Sequence, residues 1–215
     1  MAIITDGNGR WAQARGLPVV EGHEAGADAV KARLRDAADL GVKELTVYSF
    51  STENWSRPPE EVGALMAMFS RRIAEETPEL KGEGVRMRFI GRREGVSAEL
   101  CEQMDWAEAE TAAGDVITLF VAFNYGGRAE ILDAAARYEG GGEDAFRALL
   151  YAPDQHDPDL VIRTSGEQRL SNFLLWQSAY SELVWADELW PDYDRAAFGR
   201  SLDEYAGRKR RFGGR

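Results

Sequence analysis

The chain has 215 residues, enough for one domain (1–215) with its own hydrophobic core, and its single cysteine, Cys101, excludes a disulfide framework. Its net charge of −11, from 26 basic and 37 acidic residues, disfavours a nucleic-acid partner. No apolar run approaches the roughly 18 residues of a membrane span and no signal peptide is evident, so we expect a cytoplasmic protein whose membrane contact is at most peripheral.

Apolar runs alternating with amphipathic segments predict a sheet covered by helices. The predicted strands are 1–4, 44–50, 85–90, 116–123, 159–162 and 181–185. The predicted helices are 11–15, 27–40, 60–80, 97–113, 129–138, 144–150 and 195–206. This order predicts an α/β fold with a central, mainly parallel sheet of about six strands flanked by helices.

The loop after the first strand, residues 5–11, carries Asp-Gly and Asn-Gly turn signals. A hairpin turn is one interpretation, but a helix-like segment follows, which favours a strand–loop–helix step. There the glycines would let backbone N–H groups approach an anion, and Asp6 could hold a magnesium ion that bridges phosphate oxygens. His23 follows in a predicted loop before the next helix. It is either a solvated residue or, beside a diphosphate, a hydrogen-bond donor to a leaving oxygen.

The loop after the second strand, residues 51–59, is also polar, and its two prolines predict the start of a helix. That helix carries a stripe of apolar residues at helical spacing: Val62, Leu65, Met66, Phe69 and Ile73. The stripe is typical of core packing, and it would equally suit the wall of a site for a long hydrocarbon.

Two later strands also end in loops that contain arginine. Arg128 closes the segment 124–128, and Arg163 and Arg169 flank a glycine- and hydroxyl-rich bend after a buried strand. Two solvated arginines on a surface loop are one interpretation. Since ligands of open α/β sheets bind beyond the carboxyl ends of the strands, a site for a diphosphate is the other.

Three sequence motifs are absent, which narrows the classes of enzyme and of metal site that the chain can represent. The sequence contains no P-loop motif, no Asp-Asp-x-x-Asp motif of the all-helical prenyl synthases, and no His/Cys cluster with zinc spacing. A site that binds a diphosphate at the mouth of an apolar tunnel suits an isoprenoid substrate. We expect such a tunnel to open at the C-terminal ends of the strands.

In these loops the chain resembles the cis-prenyltransferases, the family of undecaprenyl diphosphate synthase. The residues that carry the resemblance span nearly the whole chain: 6–11, Gly22 and His23, 50–58, 124–128, 163–177 and 180–183.

The resemblance implies condensation of isopentenyl diphosphate onto an allylic diphosphate, such as farnesyl or geranyl diphosphate, with cis double bonds. Asp6 would hold Mg²⁺, and Glu182 would be a second metal ligand or an interface residue. The allylic diphosphate would be cradled by Gly7, Asn8, Gly9, Arg10, Trp11 and His23. The reacting carbons would be surrounded by Ser51, Thr52, Glu53, Trp55 and Arg57. The isopentenyl diphosphate would be bound by Arg163, Arg169, Leu170 and Ser171.

Asn54 matches the residue that the family assigns as proton acceptor. A neutral amide is a poor base, so we expect Asn54 to position the substrate while a diphosphate oxygen takes the proton. The basic tail, residues 208–215, is either solvated or reaches into an anionic site. Within it, Arg211–Gly213 resembles the family's C-terminal motif that completes a partner's site, which implies a homodimer.

The chain departs from the family pattern at Val19, where an arginine is usual, and at Gln168, where some members have histidine. Arg15 is a candidate substitute for the missing arginine. Small Ser49 favours a tunnel for a medium-length polyprenyl diphosphate. A short-chain synthase is the alternative if Phe69, Ile117 and Phe120 close that tunnel. A non-catalytic partner subunit is disfavoured, because such subunits lose the residues at Asp6 and Arg10.

Overall fold

The computed structural model describes residues 1–209 and contains one six-stranded sheet. The strands are β1 Ala2–Ile4, β2 Glu44–Ser51, β3 Val85–Ile90, β4 Ile117–Tyr125, β5 Leu160–Arg163 and β6 Glu182–Trp185. The helices are α1 Asn8–Ala14, α2 Val19–Asp39, α3 Pro59–Gly82, α4 Ala98–Glu110, α5 Gly127–Ala135, α6 Gly142–Arg147 and α7 Arg195–Ala206. Every strand pairing is parallel and the order is β3-β4-β2-β1-β5-β6, so the predicted α/β fold is confirmed.

The register of the central strands brings distant loops to one edge of the sheet. Ile4 on β1 pairs with Tyr48 on β2 and with Arg163 on β5. Because the three strands are parallel, the loops that begin at Thr5, Ser51 and Thr164 leave the sheet on the same side. The irregularity between Tyr48 and Ser51 in the β2–β4 register occurs at this same edge.

Both faces of the sheet are buried, as a parallel sheet requires. Ile3 belongs to the larger apolar cluster, with residues of α2, α3, α4 and α7. Its neighbours Ala2 and Ile4 point to the opposite face, in a smaller cluster with Phe120 and Phe173. Successive residues of β1 therefore pack into the apolar clusters on the two faces of the sheet.

Helix α2 begins at Val19, eight residues before the predicted start at residue 27. The prediction was wrong because Gly22 and Gly26 lower helix propensity. Both glycines are buried, and a Cβ at Gly22 would lie 2.2 Å from the carbonyl oxygen of Asn8. The glycines allow α1 to approach α2 closely, and His23 consequently lies on a helix rather than in a loop.

Smaller differences concern the ends of elements. Strand β4 continues to Tyr125, so Asn124 belongs to the strand rather than to the following loop. Helix α6 begins at Gly142, two residues before the predicted start at residue 144. Residues 171–180 form consecutive turns and bends.

None of the helices within residues 1–209 combines the length and the apolar character that a bilayer crossing requires. The predicted C-terminal motif, Arg211–Gly213, lies outside the described residues.

Candidate active site

A polar cleft of about 550 Å³ lies at the carboxyl edge of β1, β2 and β5. It is lined by residues from four loops and the strands before them: Ile4, Thr5, Asp6, Tyr48, Ser51, Glu53, Asn54, Arg128, Arg163, Ser171 and Asn172. Six of the residues predicted from the sequence are therefore in one cleft: Asp6, Ser51, Glu53, Asn54, Arg163 and Ser171.

The centre of the cleft is the ion pair between Arg163 and Asp6. Arg163 is only 4% exposed, and its Nη2 donates to Oδ2 of Asp6 over 2.8 Å. Its Nη1 donates to the Ser171 hydroxyl over 2.7 Å and to the Arg169 carbonyl, while its Nε has no partner. A buried guanidinium with a free donor beside an open cleft is suited to bind an additional anion.

Asp6 is held in its charged form. Partial burial raises its pKa, but hydrogen bonding and the positive charge of Arg163, aided by Ser165 and Arg10, more than offset this and lower the pKa below its ordinary value. The carboxylate therefore offers oxygen ligands at neutral pH. The Asp6 backbone is fixed as well, because its carbonyl accepts from the Thr164 hydroxyl over 2.7 Å and from Trp190 N–H over 3.0 Å.

Gly7 allows the chain to turn from Asp6 into α1. Its φ is +111°, in the left-handed region, and a Cβ there would lie 2.9 Å from Cδ2 of Leu189. The first N–H groups of α1, from Asn8 to Arg10, follow this turn and have no partners within the helix.

Arg10 and Arg169 form the outer rim. Arg10 donates to the Ser165 hydroxyl over 2.6 Å and lies 3.3 Å from Oδ1 of Asp6. Arg169 is exposed and pairs with Glu167, whose other oxygen is 3.7 Å from Arg10. The neighbouring Leu170 is half-buried and packs against the smaller apolar cluster. Both rim arginines are held by side chains that an incoming anion could displace.

The backbone at this edge is strained. Within residues 1–209, all five non-glycine residues with positive φ lie at the end of β4 or in the segment between β5 and β6: Asn124, Ser165, Ser171, Asn172 and Leu174. Each such conformation costs on the order of 1–3 kcal/mol and persists only where the surroundings enforce it. One enforcing contact is Asn172, which donates to Glu53 over 2.8 Å and accepts from the backbone of Gly127 and Arg128.

The loop after β2 forms a short 3₁₀ helix, Thr52–Ser56, with a reciprocal cap. The Asn54 carbonyl oxygen accepts from Ser51 N–H over 3.0 Å, and the Ser51 side chain accepts from the Asn54 backbone. Asn54 itself lines the cleft. Trp55 donates to the Asn124 side chain over 2.8 Å, and Arg57 pairs with Glu61 over 3.0 Å.

A second, apolar cavity of about 110 Å³ lies between the sheet and helices α2 and α3. Thr5 lines both this cavity and the polar cleft, so the two are adjacent. Of the residues considered from the sequence, Ser49 and Phe69 line the apolar cavity, whereas Ile117 and Phe120 are packed in the core. Most other lining residues are aliphatic, aromatic or Met: Val30, Val47, Leu65, Met68, Ile73, Leu80, Met87, Phe89, Leu119 and Val121.

His23 and Asn8 lie in the wall of the apolar cavity with unsatisfied polar atoms. Nε2 of His23 and Oδ1 of Asn8 are buried without hydrogen-bond partners. Burial and the positive charge of Arg57 lower the pKa of His23, although Glu61, 3.6 Å away, opposes them. A neutral His23 at pH 7 keeps one N–H available for a ligand.

Several predicted site residues are placed away from the cleft centre. Trp11 donates to Asp192 over 2.7 Å, and Arg15 stacks over the Trp11 ring and pairs with the same carboxylate over 3.1 Å. Arg15 is thus committed to that cluster. Val19 is 43% exposed at the start of α2, and Gln168 is exposed next to Arg169.

Glu182 lies at the opposite edge of the sheet. It pairs in register with Leu160, at the start of β5, whereas Asp6 follows β1 beyond the level of Arg163. Its carboxylate binds Arg208 over 2.9 Å. A single chain therefore does not bring Glu182 and Asp6 to one metal ion.

Five lining residues were not among the predicted site residues: Ile4, Thr5, Tyr48, Arg128 and Asn172. Tyr48 stacks on Phe173 and donates to the Tyr125 carbonyl over 3.2 Å, and burial, reinforced by Glu53, raises its pKa. Arg128 and Asn172 occur in the very segments that suggested an anion site. Their glycine- and asparagine-rich context was the available signal.

The donor set at Asp6 fits a hard divalent cation. Its carboxylate is charged, partly exposed in the cleft and surrounded by oxygen-rich loops, and Mg²⁺ is typically held by one or two carboxylates with substrate phosphates and water. An ion at Asp6 would take its remaining ligands from those sources.

Replacing Gly22 by Ala should disturb the approach of α1 to α2. The new Cβ would meet the Asn8 carbonyl, a backbone atom, so we expect a loss of about 1–3 kcal/mol in urea unfolding and lower catalytic activity. Gly63→Ala is the matched control, because Gly63 is an exposed helical glycine with no atom within 4 Å of the added Cβ. That variant should gain about 0.5–1 kcal/mol. Unchanged stability of Gly22→Ala would contradict the close approach.

The family model for undecaprenyl diphosphate synthase matches residues 4–213 of the chain. An isoprenyl transferase of Thermotoga maritima is 50% identical over 223 residues, which cover 100% of this chain and 96% of that protein. Isoprenyl transferase 2 of Bradyrhizobium diazoefficiens is 49% identical over 225 residues, which cover 100% of this chain and 89% of that protein.

Solved structures agree with these sequence relatives. Lavandulyl diphosphate synthase from Lavandula x intermedia, in complex with dimethylallyl diphosphate, superposes with a TM-score of 0.94 at 32% identity, over 99% of this chain and 96% of that one. A probable undecaprenyl diphosphate synthase from Campylobacter jejuni gives a TM-score of 0.84 at 27% identity, over 99% and 97%.

Proposed function

Since the chain belongs to the undecaprenyl diphosphate synthase family and is a cis-prenyltransferase enzyme, we propose that it condenses isopentenyl diphosphate onto an allylic diphosphate with Mg²⁺ as cofactor. The product would be a medium-length polyprenyl diphosphate with cis double bonds. The observation that carries the proposal is the position of Thr5, which lines both the cleft with the buried Arg163 and the apolar cavity beneath it. This arrangement suits a molecule with a charged head and a hydrocarbon tail.

The allylic substrate would lie across the boundary between the two spaces. Its diphosphate would accept from the first N–H groups of α1, from Arg10 and from neutral His23, whose buried Nε2 lacks a partner. Its hydrocarbon would enter the apolar cavity. Those donors are fixed before substrate binds, so they would stabilise the charge that develops on the leaving group most strongly in the transition state.

Isopentenyl diphosphate would bind on the β5 side of the cleft. Arg163 already contacts Ser171, and Arg169 with half-buried Leu170 continues the same loop. Arg128 faces the cleft from the β4 side and would add a further positive charge. Two separate groups of cations would thereby hold two diphosphates whose mutual repulsion otherwise opposes their approach.

Asp6 is the residue that would hold Mg²⁺. When bound, the ion would supply positive charge that favours departure of the allylic diphosphate. Arg163 and Arg10 keep Asp6 ionised, so the carboxylate is ready for the cation at neutral pH. Glu182, at the far edge with Arg208, is better placed for a subunit interface than for this ion.

Asn54 would orient the reacting carbons. Its carbonyl oxygen already accepts from the Ser51 N–H, which fixes the side chain at the edge of the cleft. A neutral amide is a poor base for the proton that condensation releases, so a diphosphate oxygen is the preferred acceptor. Thr52, Glu53, Trp55 and Arg57 would enclose the same region.

The two candidate products differ in the length of their hydrocarbon chain. Small Ser49 in the cavity wall favours a medium-length chain, whereas Phe69 in the same wall is the observation that favours a short-chain synthase. Labelled isopentenyl diphosphate, incubated with Mg²⁺ and dimethylallyl, geranyl or farnesyl diphosphate, should yield polyprenyl diphosphates of several added units. Absence of any labelled product with all three primers would contradict the proposal, and products that stop after one addition would favour the short-chain reading.

We also propose that residues 1–209 form a single domain that acts as a homodimer, with Glu182 and Arg208 near the contact. Sedimentation velocity at micromolar concentration should detect the dimer, and a monomer under those conditions would contradict it.

A further inference from the structure

The outer seam between α2 and α3 is closed by ion pairs. On one side lie Glu24, Asp28, Lys31 and Arg35 of α2, and on the other lie Arg71, Arg72, Glu76 and Glu79 of α3 with Glu83, which directly follows that helix. We call this set the charged seam. It runs along the same two helices that enclose the apolar cavity.

Arg72 is the most highly connected member of the charged seam. Its Nη1 donates to Asp28 over 2.6 Å and to Glu76 over 2.9 Å, and its Nη2 donates to the Glu24 carboxylate over 2.8 Å. A further bond from Nη2 reaches the Glu24 carbonyl, and Nε donates to Glu24 over 3.1 Å. The side chains of Arg72 and Glu76 are each 18% exposed, so both are largely withdrawn from water.

Arg72 and Glu76 also line the apolar cavity. The cavity wall on α3 runs from Leu65 to Leu80, about 22 Å at the rise of a helix, and Arg72 lies about 10 Å from its start. The cavity thus has an apolar part next to the polar cleft and a part beyond it that an ion pair borders.

We propose that Arg72 and Glu76 determine product length, by forming a charged wall past which the growing hydrocarbon does not extend. The inference rests on the proposed function and adds to it a specificity determinant that the diphosphate chemistry does not involve.

The physical reason is desolvation. A hydrocarbon laid over Arg72 and Glu76 would remove the remaining water from two charges, and the apolar tail offers no hydrogen bond in return. Extension along Ile73, Val30 or Leu65 carries no such penalty. Each added isoprene unit is therefore favourable until the tail reaches the charged wall.

The test compares product lengths made by four proteins from one primer and excess isopentenyl diphosphate. Arg72→Met/Glu76→Leu removes both charges from the wall and should shift the main product upward by at least one isoprene unit. Arg72→Lys keeps the positive charge and should preserve the wild-type length. Arg71→Met is the matched control, because Arg71, next to Arg72 on α3, pairs with Glu24 of α2 and Glu75 of α3 without lining the cavity, and it should also preserve the length.

A single-turnover measurement with a short primer should be the same in Arg71→Met and in the wild-type protein, since that substitution alters neither the polar cleft nor the cavity wall. If the double variant does not fold, as judged by its thermal melt, Arg72→Gln/Glu76→Gln replaces it, because it also removes both charges, and the same shift is expected. An unchanged length in the charge-removing variant, or an equal shift in Arg71→Met, would overturn the inference while leaving the proposed function intact. A wild-type protein that condenses nothing would overturn both.

Discussion

Asp6→Asn is expected to lower kcat by about 10²- to 10³-fold, the size of effect seen when a preorganised charge-stabilising group is removed. The substitution keeps the shape of the side chain and its contact with Arg163, but it removes the negative charge that would attract Mg²⁺. Rates should be measured over a range of Mg²⁺ concentrations, and more of the ion should be needed for half-maximal rate. Binding of an unreactive allylic thiodiphosphate in the presence of Mg²⁺ should weaken as well.

Glu167→Gln is the comparison for Asp6→Asn. Glu167 lies within 3.7 Å of the same Arg10 and pairs with Arg169, but it does not line the polar cleft. We expect less than about a tenfold effect, because rim charges contribute little. An Asp6→Asn protein that is folded and turns over at the wild-type rate would exclude the metal role of Asp6.

Arg163→Met is expected to reduce kcat/KM for isopentenyl diphosphate by about 10²-fold or more, because each hydrogen bond to a charged group contributes about 1.5–3 kcal/mol. The loss should exceed that of Arg200→Met. Arg200 pairs with Glu188 at the surface with its side chain 63% exposed, and its removal should change kcat/KM little. Equal effects of the two substitutions would contradict a diphosphate site at Arg163.

The Arg163→Met variant should also have a different pH profile. In the wild-type protein, Arg163 is the largest influence that lowers the pKa of Asp6, against burial that raises it. Without Arg163 the burial effect dominates and the pKa of Asp6 rises. Because the ionised carboxylate is the proposed ligand of Mg²⁺, activity should be lost at a higher pH as the solution is acidified. The stability that ionised Asp6 contributes above its unfolded pKa should shrink likewise.

Local patterns predicted most of the fold. Strand β3 and helix α7 have the predicted bounds, because period-two and period-3.6 apolar patterns end there at clear polar or capping residues. The start of α2 was wrong because Gly22 and Gly26 look like helix breakers when their neighbours are unknown. Only the packing of α1 shows why glycine is required at Gly22.

The candidate site was predictable to the extent that its residues follow strands directly. Asp6, Ser51 and Arg163 each lie at or just past a strand end, and a parallel sheet collects such positions at one edge. Glu182 could not be placed in this way, because it begins its strand. The charged seam could not be predicted either, because acidic and basic residues on amphipathic helices are ordinarily solvated. Only the fold shows that Arg72 borders a cavity.

The central position of β1 has a consequence for how the protein is made. β1 pairs with β5, so the contact between Asp6 and Arg163 joins residues 157 positions apart. Contacts of such high sequence separation form slowly, because a long loop must close first. During synthesis the first strand leaves the ribosome long before its β5 neighbour exists. The nascent chain can therefore acquire β2, β3 and β4 with their helices, but it becomes competent for chemistry only when the last third has been translated.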